Sequence, residues 1–221
     1  MAYRKINWNS SIKVVFIAFI LFIPKISDAE WFGDIYLGVN STNGDDLDIR
    51  FNGNVVQTPK DSDTGSLFGG RIGYWFERLP WLGLALDGSV FQADFDKVDI
   101  GIMPISALLM ARLALIKSDE HPKGKYQPYI GLGLGSFFSG MSEFIPNAAP
   151  TDSVLDDTSW DLGFDARIGI TCFFWEKTGM FLEYRYTNFS PTFKRETASG
   201  AFTFEPTLRT NHISLGVSFR F

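Results

Sequence analysis

Hydrophobic residues recur at every second position in eight stretches of the chain, roughly 31–40, 66–76, 82–91, 102–116, 126–138, 159–173, 180–188 and 210–221. Ile35, Leu37 and Val39 alternate with Asp34, Tyr36, Gly38 and Asn40, and Leu82, Leu84, Leu86 and Val90 with Gly83, Ala85, Asp87 and Ser89. Trp160, Leu162, Phe164, Ala166, Ile168 and Ile170 alternate with Asp161, Gly163, Asp165, Arg167, Gly169 and Thr171. A period of two sends successive side chains to opposite faces of an extended strand, so each stretch predicts a strand whose faces meet different media. The run Ile102–Ala111 would also suit a buried amphipathic helix, but Pro104 inside it favours a strand. The links, roughly 41–65, 77–81, 92–101, 117–125, 139–158, 174–179 and 189–209, collect most of their length at one end of the strands. Long loops at one end and tight turns at the other are the pattern of an up-and-down barrel across a bacterial outer membrane, although the links 92–101 and 117–125 are nearly equal.

The first thirty residues follow a different rule. Arg4, Lys5 and Lys13 precede the apolar run Val14–Ile23, Pro24 ends it, and Ser27-Asp28-Ala29 supplies small residues for a cut after Ala29. This is the layout of a secretory signal peptide, and ten apolar residues are too few for a membrane-spanning helix, which needs about 20. Residues 1–29 are therefore expected to be removed, leaving residues 30–221 as one barrel domain. Removal takes away four basic residues and one acidic one, so the formal charge falls from −5 to −8.

Composition narrows the chemistry. A single Cys rules out an internal disulfide framework, two His make a His-rich metal centre unattractive, and an acidic pI near 5.0 argues against nucleic acid as a partner. No cofactor and no metal site is expected. The mean hydropathy of +0.03 resembles that of a soluble domain, yet it also fits an average over an apolar face, a charged or glycine face and acidic loops. Among 22 Phe, 7 Tyr and 6 Trp, the residues Trp31, Trp75, Trp81, Trp160, Trp175, Tyr184 and Tyr186 fall mostly near strand ends, as expected of interfacial aromatic girdles.

The final strand is the most specific. Ile213, Leu215, Val217, Phe219 and Phe221 share one parity, and His212, Ser214, Gly216, Ser218 and Arg220 the other. This pattern, ending in Phe219-Arg220-Phe221, resembles the C-terminal insertion signal that the barrel-assembly machinery reads in outer-membrane barrels. Tyr126-Gln-Pro-Tyr-Ile-Gly-Leu-Gly-Leu-Gly135 and Phe181-Leu-Glu-Tyr-Arg-Tyr-Thr-Asn188 are similar to two strands of the OmpA/OmpX-like barrel superfamily. The resemblance implies an all-β, eight-stranded antiparallel transmembrane barrel in the cell outer membrane, with both termini periplasmic and no peptidoglycan-binding domain. It implies outer-membrane lipid, lipopolysaccharide and, during insertion, the barrel-assembly machinery as partners.

In such a barrel the apolar parity faces lipid and the other faces a lumen that eight strands leave just wide enough for side chains to fill. Cys172 then faces lipid as a packing residue. The inward parity collects Asp34, Arg71, Asp87, Arg112, Asp165, Arg167, Glu183, Arg185, His212 and Arg220. Counted from the periplasmic strand ends, Asp34, Arg71, Asp87, Arg112, Glu183 and Arg185 come to similar heights, three positive and three negative. They are expected to form a paired network that closes the lumen, or alternatively to line a narrow ion path. His212, Ser214 and Glu183 resemble the His-x-Ser and Glu set of outer-membrane lipid A deacylases, but their parity points inward, away from acyl chains, so no catalytic residue is assigned. The links 41–64 and 140–158 are acidic and carry no defined metal-ligand spacing; an extracellular ligand for them is unknown. The sequence thus predicts a non-enzymatic barrel with a structural or surface-interaction role through its outside loops. The alternatives are a small porin and, behind it, a lipid A-modifying enzyme.

Overall fold

A computed structural model describes residues 30–45, 48–57, 64–95, 98–144, 154–197 and 200–221. In chain order the strands are β1 (Glu30–Asp45), β2 (Ile49–Phe51), β3 (Asn54–Gln57), β4 (Thr64–Trp75), β5 (Leu82–Phe95), β6 (Val98–Arg112), β7 (Tyr126–Phe144), β8 (Val154–Trp175), β9 (Thr178–Phe189), β10 (Phe193–Thr197), β11 (Gly200–Phe204) and β12 (Thr207–Arg220). Eight of them close into a barrel in the order β1-β12-β9-β8-β7-β6-β5-β4, with every neighbouring pair antiparallel. Closure satisfies the backbone groups that an open edge would leave bare in hydrocarbon. The expected signal segment, residues 1–29, lies outside the described residues.

The eight stretches of alternation map onto the eight barrel strands, and three differences have physical reasons. The ladder continues beyond the apolar alternation, so β7 and β8 pair out to Phe144↔Val154; backbone pairing needs no hydrophobic period once a strand has left lipid. Two links expected as loops hold strands instead: β2, β3, β10 and β11 form a four-stranded sheet in the order β10-β11-β2-β3. Finally, β6 stops at Arg112, not at residue 116. The backbone turns beyond it, with Ile116 at a φ of 52° and the N–H of Lys125 bonded to the carbonyl of Ile116.

Register fixes the tilt. Successive partners from Phe32 run through Gly73, Ala85, Leu108, Gly133, Asp165, Thr187 and Thr210 and return to β1 at Thr42, a stagger of ten residues. A stagger of that size over eight strands tilts them by about 40° to the axis. The β5–β6 ladder is interrupted once. Gly88 pairs with Ile105 and Phe91 with Ile102, but no pairing joins the residues between, where Pro104 has no N–H to offer.

The outer face carries Leu37, Leu84, Leu109, Leu132, Leu134, Leu162, Ile168, Leu182 and Leu215, all exposed on the isolated chain, as a lipid-facing wall requires. Cys172 is half-buried between the inward Thr171 and Phe173, so its parity is outward. Trp81, Trp160 and Trp175 also face outward. Trp75 does not: four residues on from the inward Arg71, it is buried in the lumen rather than placed in a girdle. The inward parity is less polar than the sequence suggested, because Tyr36, Phe91, Phe137, Phe181 and Phe189 are buried there. Its glycines make room for these rings. A Cβ on Gly69 would lie 2.5 Å from the Tyr36 ring, and one on Gly169 would lie 2.6 Å from the Tyr129 ring.

Candidate functional site

Midway along the lumen, β1, β4, β5, β8 and β9 point charged side chains at one another. Arg71 donates from Nε to Asp34 Oδ2 (2.7 Å) and from Nη1 to Glu183 Oε2 (2.7 Å). Tyr129 donates its hydroxyl to the same Glu183 oxygen (2.8 Å). Arg167 grips Asp87 bidentately (2.7 and 2.8 Å), reaches Asp165 from Nε and Nη2 (2.9 Å each), and lies 3.3 Å from Glu183 Oε1. Arg185 Nη2 stands 2.8 Å from Asp165 Oδ2 while its Nη1 donates to Ser89 Oγ (2.8 Å). Tyr36 gives its hydroxyl proton to the Asp87 carboxylate (2.8–2.9 Å).

Three arginines and four carboxylates thus interleave in a layer where every charged residue is at least 95% buried. Uncompensated charges would be prohibitive in such a place; bidentate and shared guanidinium–carboxylate bonds are the geometry that makes it tolerable. On the long-loop side the lining turns apolar. Phe137 stacks on Phe189 with centroids 4.2 Å apart, Phe91 meets the His212 ring edge-on at 4.7 Å, and Ile100, Ile102, Phe193, Phe204 and Leu208 pack with them.

Five of the six sequence-predicted residues, Asp34, Arg71, Asp87, Glu183 and Arg185, occur in this layer. Arg112 does not. It closes β6 at the short-turn mouth, where it donates to both oxygens of Glu30 (2.6 and 3.0 Å) and to Gln127 (3.2 Å), with its guanidinium 4.2 Å from the Trp75 ring centroid. Equal counts from strand ends mislead here for two reasons: β6 is shorter than its apolar run, and the stagger shifts the level by more than one residue per strand. The same stagger brings in Asp165 and Arg167, which parity had placed inward but counting left out. Tyr36 and Tyr129 were missed as members; inward parity was their signal. Glu30 was missed too, having been read only as a terminus.

His212, Ser214 and Glu183 are all buried inward. His212 Nε2 lies 3.2 Å from Thr187 Oγ1, and Glu183 is taken up by Arg71, Tyr129 and Arg167, so the three are not arranged as a nucleophile relay. Among the described residues no group of three His, Cys, Asp or Glu is placed to hold a metal ion. The terminal set Ile213, Leu215, Val217, Phe219 and Phe221 lies on the lipid-facing side, exposed except for the half-buried Val217.

A closed eight-stranded barrel with a lipid-facing apolar wall agrees with a sequence match over residues 15–221 to the outer membrane protein beta-barrel domain. The chain belongs to that family. Among curated proteins none matches it. Solved barrels are similar in fold at low identity. Neisserial surface protein A is 16% identical, with a TM-score of 0.52 over 88% of this chain and 98% of that one. The outer membrane protein OprG from Pseudomonas aeruginosa is 17% identical, with a TM-score of 0.53 over 88% and 96%. AlkL, solved in lipid bilayers, is 16% identical, with a TM-score of 0.54 over 90% and 95%. These likenesses concern the fold alone.

Proposed function

We propose that this family member is a non-conducting, non-enzymatic barrel of the outer membrane that acts at the cell surface through its long-loop end. In this reading residues 1–29 direct export and are removed, and both termini face the periplasm. The terminal apolar set guides assembly by the barrel-assembly machinery. The sheet of β2, β3, β10 and β11 stands among lipopolysaccharide, where any ligand would be met.

One observation carries the reading. The lumen is filled twice, by the ion-paired layer around Arg71 and Arg167 and by the aromatic pack of Phe91, Phe137 and Phe189 beside it, all with 5% exposure or less. A continuous water-filled path would need both of these fillings to be absent. Planar-bilayer recording of refolded protein tests it: no unitary conductance is expected, and steady channel openings would favour the porin alternative and overturn the proposal.

A further inference from the structure

The short-turn mouth holds a second charged cluster whose balance is unlike that of the central layer. Glu30 receives Arg112 on both oxygens, Arg220 Nε on Oε1 at 2.8 Å, and Lys123 Nζ on Oε2 at 3.3 Å. Four donors occupy the lone pairs of this one carboxylate, so it has nothing further to offer. Arg112 and Arg220 also share Gln127 Oε1, which brings no charge. Three cations therefore surround a single carboxylate, whereas the central layer sets three against four. Asp34, inward of this mouth, is already engaged by Arg71.

Beside this cluster lies a cavity of about 70 Å³ whose wall includes Glu30, His121, Lys123 and Arg220. Glu176 and Lys177, both exposed, stand on its rim and cancel formally, and Phe221, which also lines the cavity, brings its α-carboxylate, so that one positive charge remains in excess. Arg220 is 92% buried, its guanidinium 3.6 Å from the centroid of Phe173, so its charge is poorly screened by water. His121, equally buried, holds its backbone in the turn by bonds to Ser118, while its Nε2 has no hydrogen-bonding partner. Lys123 is half exposed and connects the cavity to solvent. Surplus positive charge, room for a small group and an unused ring nitrogen occur in one place.

We propose that this mouth is an oxyanion site that takes one phosphate group, held by Arg220 and Lys123 with His121 supplying a further donor. Charge-assisted bonds from a guanidinium and an ammonium suit a tetrahedral oxyanion, and the added negative charge offsets the surplus around Glu30. The phosphate can belong to a phospholipid headgroup at the membrane interface or be free in solution; the site chemistry is common to both. The inference does not depend on whether the lumen conducts.

The test uses refolded full-length barrel in detergent micelles, titrated calorimetrically with inorganic phosphate and, separately, with short-chain dihexanoyl phosphatidic acid, against chloride at equal ionic strength. One saturable site per chain is expected for at least one probe. Lys123→Ala and His121→Ala, both in a turn outside the strands, are each expected to weaken it tenfold or more while keeping the heat-modifiable gel mobility of a folded barrel. Tighter binding of the lipid assigns a headgroup, and tighter binding of phosphate assigns a solute. Absence of saturable binding by both probes, or binding unchanged in the two variants, overturns the proposal.

Discussion

Arg167 touches three carboxylates, Asp87, Asp165 and Glu183, and no single side chain replaces those contacts. Removing one partner of a buried ion pair leaves the others uncompensated and typically costs about 3–5 kcal/mol. Arg167→Ala is accordingly expected to lower unfolding stability by about that much, or to prevent refolding, as measured by urea titration in detergent. Arg112→Ala removes hydrogen bonds at a mouth where Arg220 and Lys123 still hold Glu30, and a loss of about 1–3 kcal/mol is expected. The reverse order of the two variants would mean that the central layer is not the main electrostatic support. Gly69 offers a steric test at the same scale. A side chain there meets the Tyr36 ring, so Gly69→Val is expected to destabilise the barrel by about 1–3 kcal/mol. The penalty of Gly69→Val should be smaller in a Tyr36→Ala background than in the natural chain, read as a double-mutant cycle by the same titration.

At the level of whole strands, the alternation of β12 makes lipid the partner of Leu215, with Ser214 and the small Gly216 turned inward. An arginine on the lipid face costs about 2–4 kcal/mol near the bilayer midplane and about 0–1 near the interfaces. Leu215→Arg is expected to lose the larger amount and Phe221→Arg, at the strand's end, the smaller, when refolding into lipid vesicles is compared. Strands such as β12 were legible because lipid imposes a strict period of two on one face. The extra sheet of β2, β3, β10 and β11 was not, since strands of three to five residues are too short to display such a period. The candidate site was legible as a set of inward charges but not as a level. Parity turned Asp34, Arg71, Asp87, Arg112, Asp165, Arg167, Glu183 and Arg185 inward alike, while the ten-residue stagger, a property of closure rather than of any one strand, admitted Arg167 and Asp165 to the layer and sent Arg112 to the mouth.

The barrel as a whole is divided along its axis. Its interior is ionic at the short-turn mouth and at the central layer, with Phe32, Trp75, Ala85, Leu108 and Met110 packed on the short-turn side of that layer; beyond it the lining is aromatic, with Phe137 stacked on Phe189 and Phe91 against His212. Two barriers in series give a result that neither gives alone. Weakening the ionic layer with the near-isosteric Asp87→Asn removes a charge that Arg167 holds at 2.7 Å, yet an ion moving through the barrel would still meet the close-packed aromatic section, where an unpaired charge is costly. Bilayer recordings of Asp87→Asn are therefore expected to remain silent. Phe137→Ala with Phe189→Ala opens the aromatic section but leaves the arginine–carboxylate layer bridging the lumen, and these too should be silent. Only the triple variant acts on both obstacles, and measurable conductance is expected from it alone. Channel activity in Asp87→Asn by itself would mean that the ionic layer is the sole barrier, and that the aromatic pack admits water.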